Sequence, residues 1–393
     1  MAKVLLVDTN FSVQPIYQEL VRLGHEVHVV GGNPSDCLAK SCHRYWHIDY
    51  ADTNALKDLV EKEQFAYLVP GCTDRSYSSC AIVSQGRFPS IAPVNVDEDL
   101  NQKDRFRSLG QRLHLPVPRV QWQDSENESA EPLLVNANFR WPLVIKPVDG
   151  FSGKGVSILL KADEVALQQA VMAARSASAR GLCLIEDFVR GQLFSHSAFL
   201  CDRHVVQDFL VEEHCTANPF VVDTSRVVPV VLPELRAKLR QAIEAIATEL
   251  NLSDGLIHTQ FILDGEQPWL IEITRRCPGD LYSQLIELSG GTGYVNNYVR
   301  PFLGMPVSIQ NPQLYVPVMR HTVSVPAAQG FDHLHFLQPL LLERWVPLRV
   351  TGGPLEPSPI GRIGILFARA KDENELDILY ATTLDRQLYD VVH

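Results

Sequence analysis

Basic charge is what this sequence is short of. Lys and Arg number 35 against 46 Asp and Glu, which leaves a net charge of -11. A nucleic-acid partner needs a basic face to displace condensed counterions, so that class of partner is set aside and small molecules are preferred. Long apolar runs are also missing. Nothing approaches the roughly 18 residues a membrane helix requires. The opening MAKVLLVD is interrupted by Asp8 before it reaches the length of a signal core, so no membrane association is expected and the cytoplasm is the expected compartment. The eight cysteines include no CxxC pair and no Cys/His cluster at metal-ligand spacing, so most are read as small core residues and none as part of a disulfide or zinc framework.

Two phosphate-binding signatures are absent as well. The first strand, KVLLVD, runs into DTNFSVQP without GxGxxG, which argues against a dinucleotide there. The one glycine-rich loop, VIKPVDGFSGKGV over 144 to 156, has Gly155 after Lys154 where a P-loop has Ser or Thr. Its Lys146 precedes the glycines, whereas a kinase loop places its lysine on the following strand.

What is present is a chain of 393 residues, 46% hydrophobic, long enough for two or three domains. Over 1 to 95, apolar strands (3 to 8, 25 to 32, 65 to 71) alternate with helical patterns (15 to 23, 54 to 64, 76 to 85), which predicts a parallel sheet of Rossmann-like, α/β type. The segment 101 to 118 reads as a helix closed by two prolines, followed by a polar, acidic loop over 123 to 132. From 141 onward strands and helices mix as in an α+β fold. A long helix is expected over 233 to 250, and two strands, 256 to 265 and 268 to 276, turn at Asp264-Gly265. The remainder, 311 to 393, reads mostly as strands. The expected division is 1 to 95, 96 to 310, with a nucleotide lid over about 116 to 190, and 311 to 393.

The order strand, Lys146, glycine-rich hairpin, Lys154 suits a lid. Lys146 reaches a phosphate as a point charge, and Gly150, Gly153 and Gly155 let backbone N–H groups fold over it. The chain has only ten lysines, which gives weight to two flanking one turn, although a flexible hairpin with ordinary surface lysines accounts for the same residues. In WLIEITRR the strand period puts Glu272, Thr274 and Arg276 on one face, and the neighbouring strand offers His258 and Gln260 in the same alternation. One carboxylate with nearby oxygen donors suits magnesium, and the arginine suits a carboxylate or a transferring phosphoryl group. A buried Glu–Arg pair holding a hairpin is the competing explanation. Thr73 and Asp74, at the C-terminal end of a strand, face substrate or cap a helix. RRCPGDLY puts a helix start with Asp280 and Tyr282 just after Arg276, and Arg320 is a candidate for a substrate carboxylate. His321 is read as a sheet residue, and Cys277 lacks the His partner a nucleophile needs.

Taken in order, Lys103 in NQKDRF, VIKPVDGFSGKGV, LIEDFVRG (184 to 191), HTQF and LIEITRR resemble the ATP-grasp superfamily, in its carboxylate-amine ligase branch near biotin carboxylase and carbamoyl-phosphate synthetase. The resemblance covers about 1 to 310, with a Rossmann-like pre-ATP-grasp domain, an ATP-grasp fold of two α+β lobes and a C-terminal β-rich segment. It implies ATP with Mg2+, or Mn2+ in its place. Lys103 and Lys146 would contact phosphates, and the loop Gly150, Ser152, Gly153, Lys154, Gly155 would close over them. Glu186, Asp187, Phe188 and Val189 would form the adenine hinge, and Glu272 would bridge metal. Arg276 would neutralise an acyl phosphate formed from a carboxylate, with an amino acid the leading candidate, before an amine attacks. Three departures stand out: Gln260 replaces a second metal carboxylate, Thr274 replaces Asn, and Leu193 stands where a ribose-contacting acid is usual. They leave open a bicarbonate-activating or purine-pathway relative, or a nucleotide-binding protein without turnover. Related folds often form a homodimer.

Overall fold

The computed structural model describes residues 1–124, 138–151, 153–291, 293–309 and 314–393. Ser152 and most of the expected acidic loop lie outside these described residues.

The chain begins with β1 (Lys3–Val7), α1 (Gln14–Arg22), β2 (Glu26–Gly31), α2 (Cys37–Ser41), β3 (Tyr45–His47), α3 (Thr53–Glu63), β4 (Tyr67–Pro70) and α4 (Asp74–Ser84). The four strands form a parallel sheet of order β3-β2-β1-β4. Helix starts follow local chemistry: Asp52 accepts the Ala55 N–H at α3, and Thr73 accepts the Ser76 N–H at α4.

In place of one helix over 101 to 118 stand two, α5 (Val94–Asn101) and α6 (Lys103–Arg112), the second ending well before 118. Gln102 between them is extended, because the Lys103 N–H is drawn to the Val148 carbonyl at 2.7 Å. That tertiary bond places Lys103 at the start of α6, beside the glycine-rich loop. At its other end α6 stops before the prolines, with His114 at φ 54° reversing the chain.

A second, antiparallel sheet comprises β5 (Val120–Gln123), β6 (Leu143–Pro147), β7 (Ser157–Leu159) and, after helix α7 (Glu164–Ala177), β8 (Cys183–Asp187), in the order β5-β8-β6-β7. The apolar side of α7, with Leu167, Ala170, Val171 and Ala174, packs on Leu143, Ile145 and Ile185.

The largest sheet has eight strands. It takes in β9 (Gln192–Cys201), β10 (His204–His214), β11 (Thr224–Val227), then, after α8 (Pro233–Glu249), β12 (Gly255–Asp264) and β13 (Gln267–Thr274). Helices α9 (Tyr282–Leu288) and α10 (Tyr294–Phe302) follow, and β14 (Val318–Ser324), β15 (Gln329–Phe331), β16 (His333–Phe336), β17 (Leu341–Pro347), β18 (Gly353–Leu355), β19 (Arg362–Arg369), α11 (Glu373–Leu384) and β20 (Tyr389–Val392) complete the chain. Strand order is β13-β12-β9-β10-β11-β14-β19-β17, so three C-terminal strands extend the same sheet. Helix α11 is the one helix among the described residues of the mostly strand segment 311 to 393. Its signal was the Asp372-x-x-Glu375 pattern, in which Asp372 caps the Glu375 N–H.

Helix α10 joins the parallel sheet to the large one. Tyr298 donates to the Pro70 carbonyl at 2.9 Å, and Asn296 donates to Glu19 at 2.6 Å. The C-terminal ends of the parallel strands therefore face the large sheet. Among the described residues no helix is long and apolar enough to cross a membrane.

Candidate active site

Three segments far apart in sequence meet at Lys103. Its Nζ donates to the Gly150 carbonyl at 2.6 Å and stands 3.1 Å from Glu272 Oε1. The start of α6, the glycine-rich loop and strand β13 thus converge on one cation at the cleft between the two antiparallel sheets. Glu272 is the exposed member, with 47% of its side chain open to solvent. Its surroundings work against the charged form, but Lys103 and then Lys146 outweigh that effect and hold its pKa below the usual carboxylate value.

Behind this point lies a buried ion-pair triad. Arg107, one helical turn after Lys103 and fully buried, donates to Glu186 through Nε at 2.9 Å and Nη2 at 3.4 Å, and through Nη1 to the Ile271 carbonyl at 3.0 Å. Lys146 completes the triad at Glu186 Oε1, the oxygen that also accepts from Arg107 Nη2. Burial alone would raise the Glu186 pKa; the charges of Arg107 and Lys146 reverse that and lower it. The Lys146 pKa is lowered by burial, with Arg107 and Lys103 adding to the effect against the pull of Glu186. Arg107 escaped the sequence reading. Its signal was its i,i+4 position relative to Lys103, which puts both on one helix face.

At the hinge, the Glu186 carboxylate faces inward to this triad. Asp187 pairs with Arg119 at 3.2 Å on the outer side, and the Phe188 N–H is bonded to the Pro142 carbonyl. Both acidic side chains expected at the adenine edge are thus engaged by protein partners, Glu186 by Arg107 and Lys146 and Asp187 by Arg119. The loop itself is set by two left-handed glycines, Gly153 at φ 67° and Gly155 at φ 72°. A Cβ on Gly153 would lie 2.3 Å from the Phe220 Cβ, and one on Gly155 would lie 2.6 Å from the Ala177 Cβ. Lys154 between them is exposed.

The paired strands β12 and β13 set Gln260 opposite Glu272 and His258 opposite Thr274, as their alternation suggested. The donors then divide. Gln260 gives its amide N–H to Glu213 at 2.9 Å, while Thr274 gives its hydroxyl to Asp74 at 3.1 Å. The Thr274 hydroxyl proton is thereby taken by Asp74, and its oxygen accepts the Arg276 N–H at 3.4 Å. Burial, with the charge of Arg276, pushes His258 down to about 3, so it is neutral and bonds to Ser197 at 2.8 Å. Among the described residues no group of three His, Cys, Asp or Glu could hold a metal by itself. One carboxylate and one amide oxygen facing phosphates nevertheless fit magnesium, which takes few protein ligands.

Arg276 reaches across to the parallel-sheet domain. Its Nε and Nη2 donate to the two oxygens of Asp74 at 2.8 and 3.0 Å. Thr73 caps α4, so of the two expected substrate-facing residues it is Asp74 that enters the site.

From Glu272 a polar row crosses one face of the large sheet through register neighbours Gln260 and Ser195, steps diagonally on β10 past Val211 to Glu213, and continues through register neighbours Ser225 and Arg320. Arg320 is buried, donates to Ser225 at 2.8 Å and to the Asp280 carbonyl at 2.9 Å, and leaves its Nε without a partner. The Tyr282 hydroxyl lies 3.0 Å from Ser195 in the middle of this row, while the Asp280 carbonyl meets Arg320 at its end. Cys277 is buried, and His321 is enclosed by Thr224 and Tyr389, in keeping with core roles.

Residues 139–284 match the family model described as an ATP-grasp domain. A formate-dependent phosphoribosylglycinamide formyltransferase of Histophilus somni is 26% identical over 372 residues, 93% of this chain and 91% of that one. Among solved structures, an L-amino acid ligase from Bacillus licheniformis superposes with a TM-score of 0.77 at 18% identity, covering 100% of this chain and 99% of that one. The biotin carboxylase domain of Hydrogenobacter thermophilus 2-oxoglutarate carboxylase, solved with MgADP and bicarbonate, gives 0.74 at 17% identity, covering 100% and 91%.

Proposed function

For a chain that carries an ATP-grasp domain and has its structural neighbours in the carboxylate-amine ligase branch, we propose the activity of an ADP-forming ligase that joins a small carboxylate to an amine. The observation that carries this reading is the convergence on Lys103 of the Gly150 carbonyl and Glu272, with Lys146 behind them.

ATP enters the cleft between the antiparallel sheets, its phosphates against Lys103, Lys146 and the Gly153–Gly155 turn. A substrate carboxylate oxygen attacks the γ-phosphorus, the bond to the β,γ-bridging oxygen breaks, and ADP leaves. The amine nitrogen then attacks the acyl carbon, the carbon–oxygen bond to phosphate breaks, and the amine loses a proton. Little covalent work falls to the protein; positioning and charge neutralisation dominate. Arg276, held in place by Asp74, faces the transferring group, while Glu272 and Gln260 would hold Mg2+ or Mn2+. That ion, when bound, supplies charge neutralisation between phosphate oxygens.

An amino acid is the leading carboxylate. Formate is the alternative raised by the relatives' name, and bicarbonate is the one raised by the biotin carboxylase neighbour. A panel containing all three, offered with a range of amines, tests the reading through nucleotide products. Substrate-dependent ADP and phosphate are expected, and AMP with pyrophosphate would contradict it. A nucleotide-binding protein without turnover is the second reading, favoured by the neutral Gln260 and by the hydrogen bond of the Thr274 hydroxyl to Asp74. Thermal stabilisation by ATP without magnesium, and no ADP release across the panel, would decide for it.

A further inference from the structure

Gln260 stands where the resemblance leads one to expect a second metal carboxylate, and its amide is not left to rotate. Its Nε2 donates to Glu213 Oε2 at 2.9 Å. The other Glu213 oxygen accepts from the Ser195 hydroxyl at 2.9 Å, and the Tyr282 hydroxyl stands 3.0 Å from that same Ser195 oxygen. A serine hydroxyl has one proton to give, so Tyr282 donates to Ser195, Ser195 donates to Glu213, and all donors in the chain run toward the carboxylate. Glu213 is only 4% exposed, on strand β10, and has no salt-bridge partner among the described residues.

We propose that Glu213 is a positioning residue for the metal site. By accepting the amide N–H of Gln260, it turns Oε1 of Gln260 away from itself, toward Glu272, its direct cross-strand partner. An amide free to flip presents NH2 to a cation half the time; one whose NH2 is held by a carboxylate presents oxygen. The site then keeps two oxygen ligands with one fewer negative charge, and the missing anion sits one strand further in. Glu213 acts through Gln260 and does not touch the ion. This inference rests on the nucleotide-site reading of the cleft.

The test measures Mn2+ uptake in the presence of ADP by electron paramagnetic resonance, with calorimetry of ADP alone and metal-free melting as controls. Glu213→Gln, which keeps the shape but lets the amide at 260 reverse, is expected to weaken Mn2+ binding roughly tenfold or more. Binding of ADP without metal should be unchanged. Exchanging the pair, Glu213→Gln with Gln260→Glu, restores an amide-to-carboxylate bond with an oxygen toward Glu272, and should restore Mn2+ affinity. A residue that merely supports the fold would not be rescued by this exchange. Gln260→Met, which removes the oxygen, should reproduce the loss even if Glu213→Gln folds poorly. Equal Mn2+ affinity in the unmodified protein and in either Glu213→Gln or Gln260→Met overturns the inference alone. No Mn2+ uptake beside ADP by the unmodified protein overturns the nucleotide-site reading, and the inference with it.

Discussion

Arg276 and Asp74, 202 positions apart, are joined by two hydrogen bonds of 2.8 and 3.0 Å between guanidinium and carboxylate. This bidentate pair links the large antiparallel sheet to the first helix after β4, and so couples the candidate catalytic arginine to the parallel-sheet part of the chain. Burial works to raise the Asp74 pKa, but the charge and hydrogen bonds of Arg276 outweigh it and hold it below the usual value. Arg276 is in turn kept charged by Asp74 against its own burial.

A double-mutant cycle of Asp74→Asn and Arg276→Met should therefore show a coupling on the order of 1–3 kcal/mol in denaturant unfolding, as for other residues in one ion-pair network. Asp74→Asn alone should lower turnover more than it raises the KM for ATP, since it loosens Arg276 and leaves the lysines in place. Additive stabilities would show that the contact is incidental.

The triad around Glu186 separates stability from activity. Glu186→Ala leaves Arg107 and Lys146 as buried cations without their shared anion, and should destabilise by roughly 3–5 kcal/mol. Lys146→Ala leaves the Arg107–Glu186 pair intact, and Glu272→Ala removes an exposed carboxylate. Both should abolish turnover while far-ultraviolet circular dichroism and cooperative unfolding persist. Retained turnover in either variant would remove that residue from the site.

The left-handed turn is a further point of leverage. Gly155→Ala forces a Cβ to 2.6 Å from that of Ala177 at a φ of 72°, costing about 1–2 kcal/mol from the backbone alone before any clash. The expected signature is a raised KM for ATP together with a lowered melting temperature, and an unchanged KM would mean that this turn does not meet the nucleotide.

Asp97 supplies a test by pH. Burial pushes its carboxyl up to about 7, with Asp74 and Glu98 adding to the rise and the Ser78 hydroxyl, 2.6 Å away, opposing it. A folded-state pKa above the unfolded value means a contribution that is complete below pH 3.8 and lost as pH climbs to about 7. The stability of Asp97→Asn relative to the parent should rise across that window and level off above it, by at most about 4 kcal/mol. A difference that stays flat with pH would mean that Asp97 titrates normally.

Much of this architecture was legible in one dimension because its signals are local. Alternating apolar runs announced the parallel sheet, and the strand period put Gln260 opposite Glu272. What escaped depends on long-range pairing. The break at Gln102 comes from a hydrogen bond to Val148, and no residue near 102 announces it. Arg107 reads as an ordinary helix arginine until Glu186, 79 positions on, is folded beside it. Glu213 sits in a run, FLVEEH, where one glutamate faces Arg226 and its neighbour faces the candidate metal site; only the order of strands distinguishes them.

The central claim is an acyl phosphate made from a carboxylate and ATP, and oxygen transfer tests it most directly. The unmodified protein is supplied with Mg2+, ATP, an amine and a carboxylate carrying heavy oxygen, drawn from whichever member of the panel supports turnover, and the released phosphate is examined by mass spectrometry. Acyl phosphate chemistry predicts one labelled oxygen in the phosphate for each ADP released, with the signal lost in Glu272→Ala. Heavy oxygen in AMP, or unlabelled phosphate accompanying product formation, would contradict it.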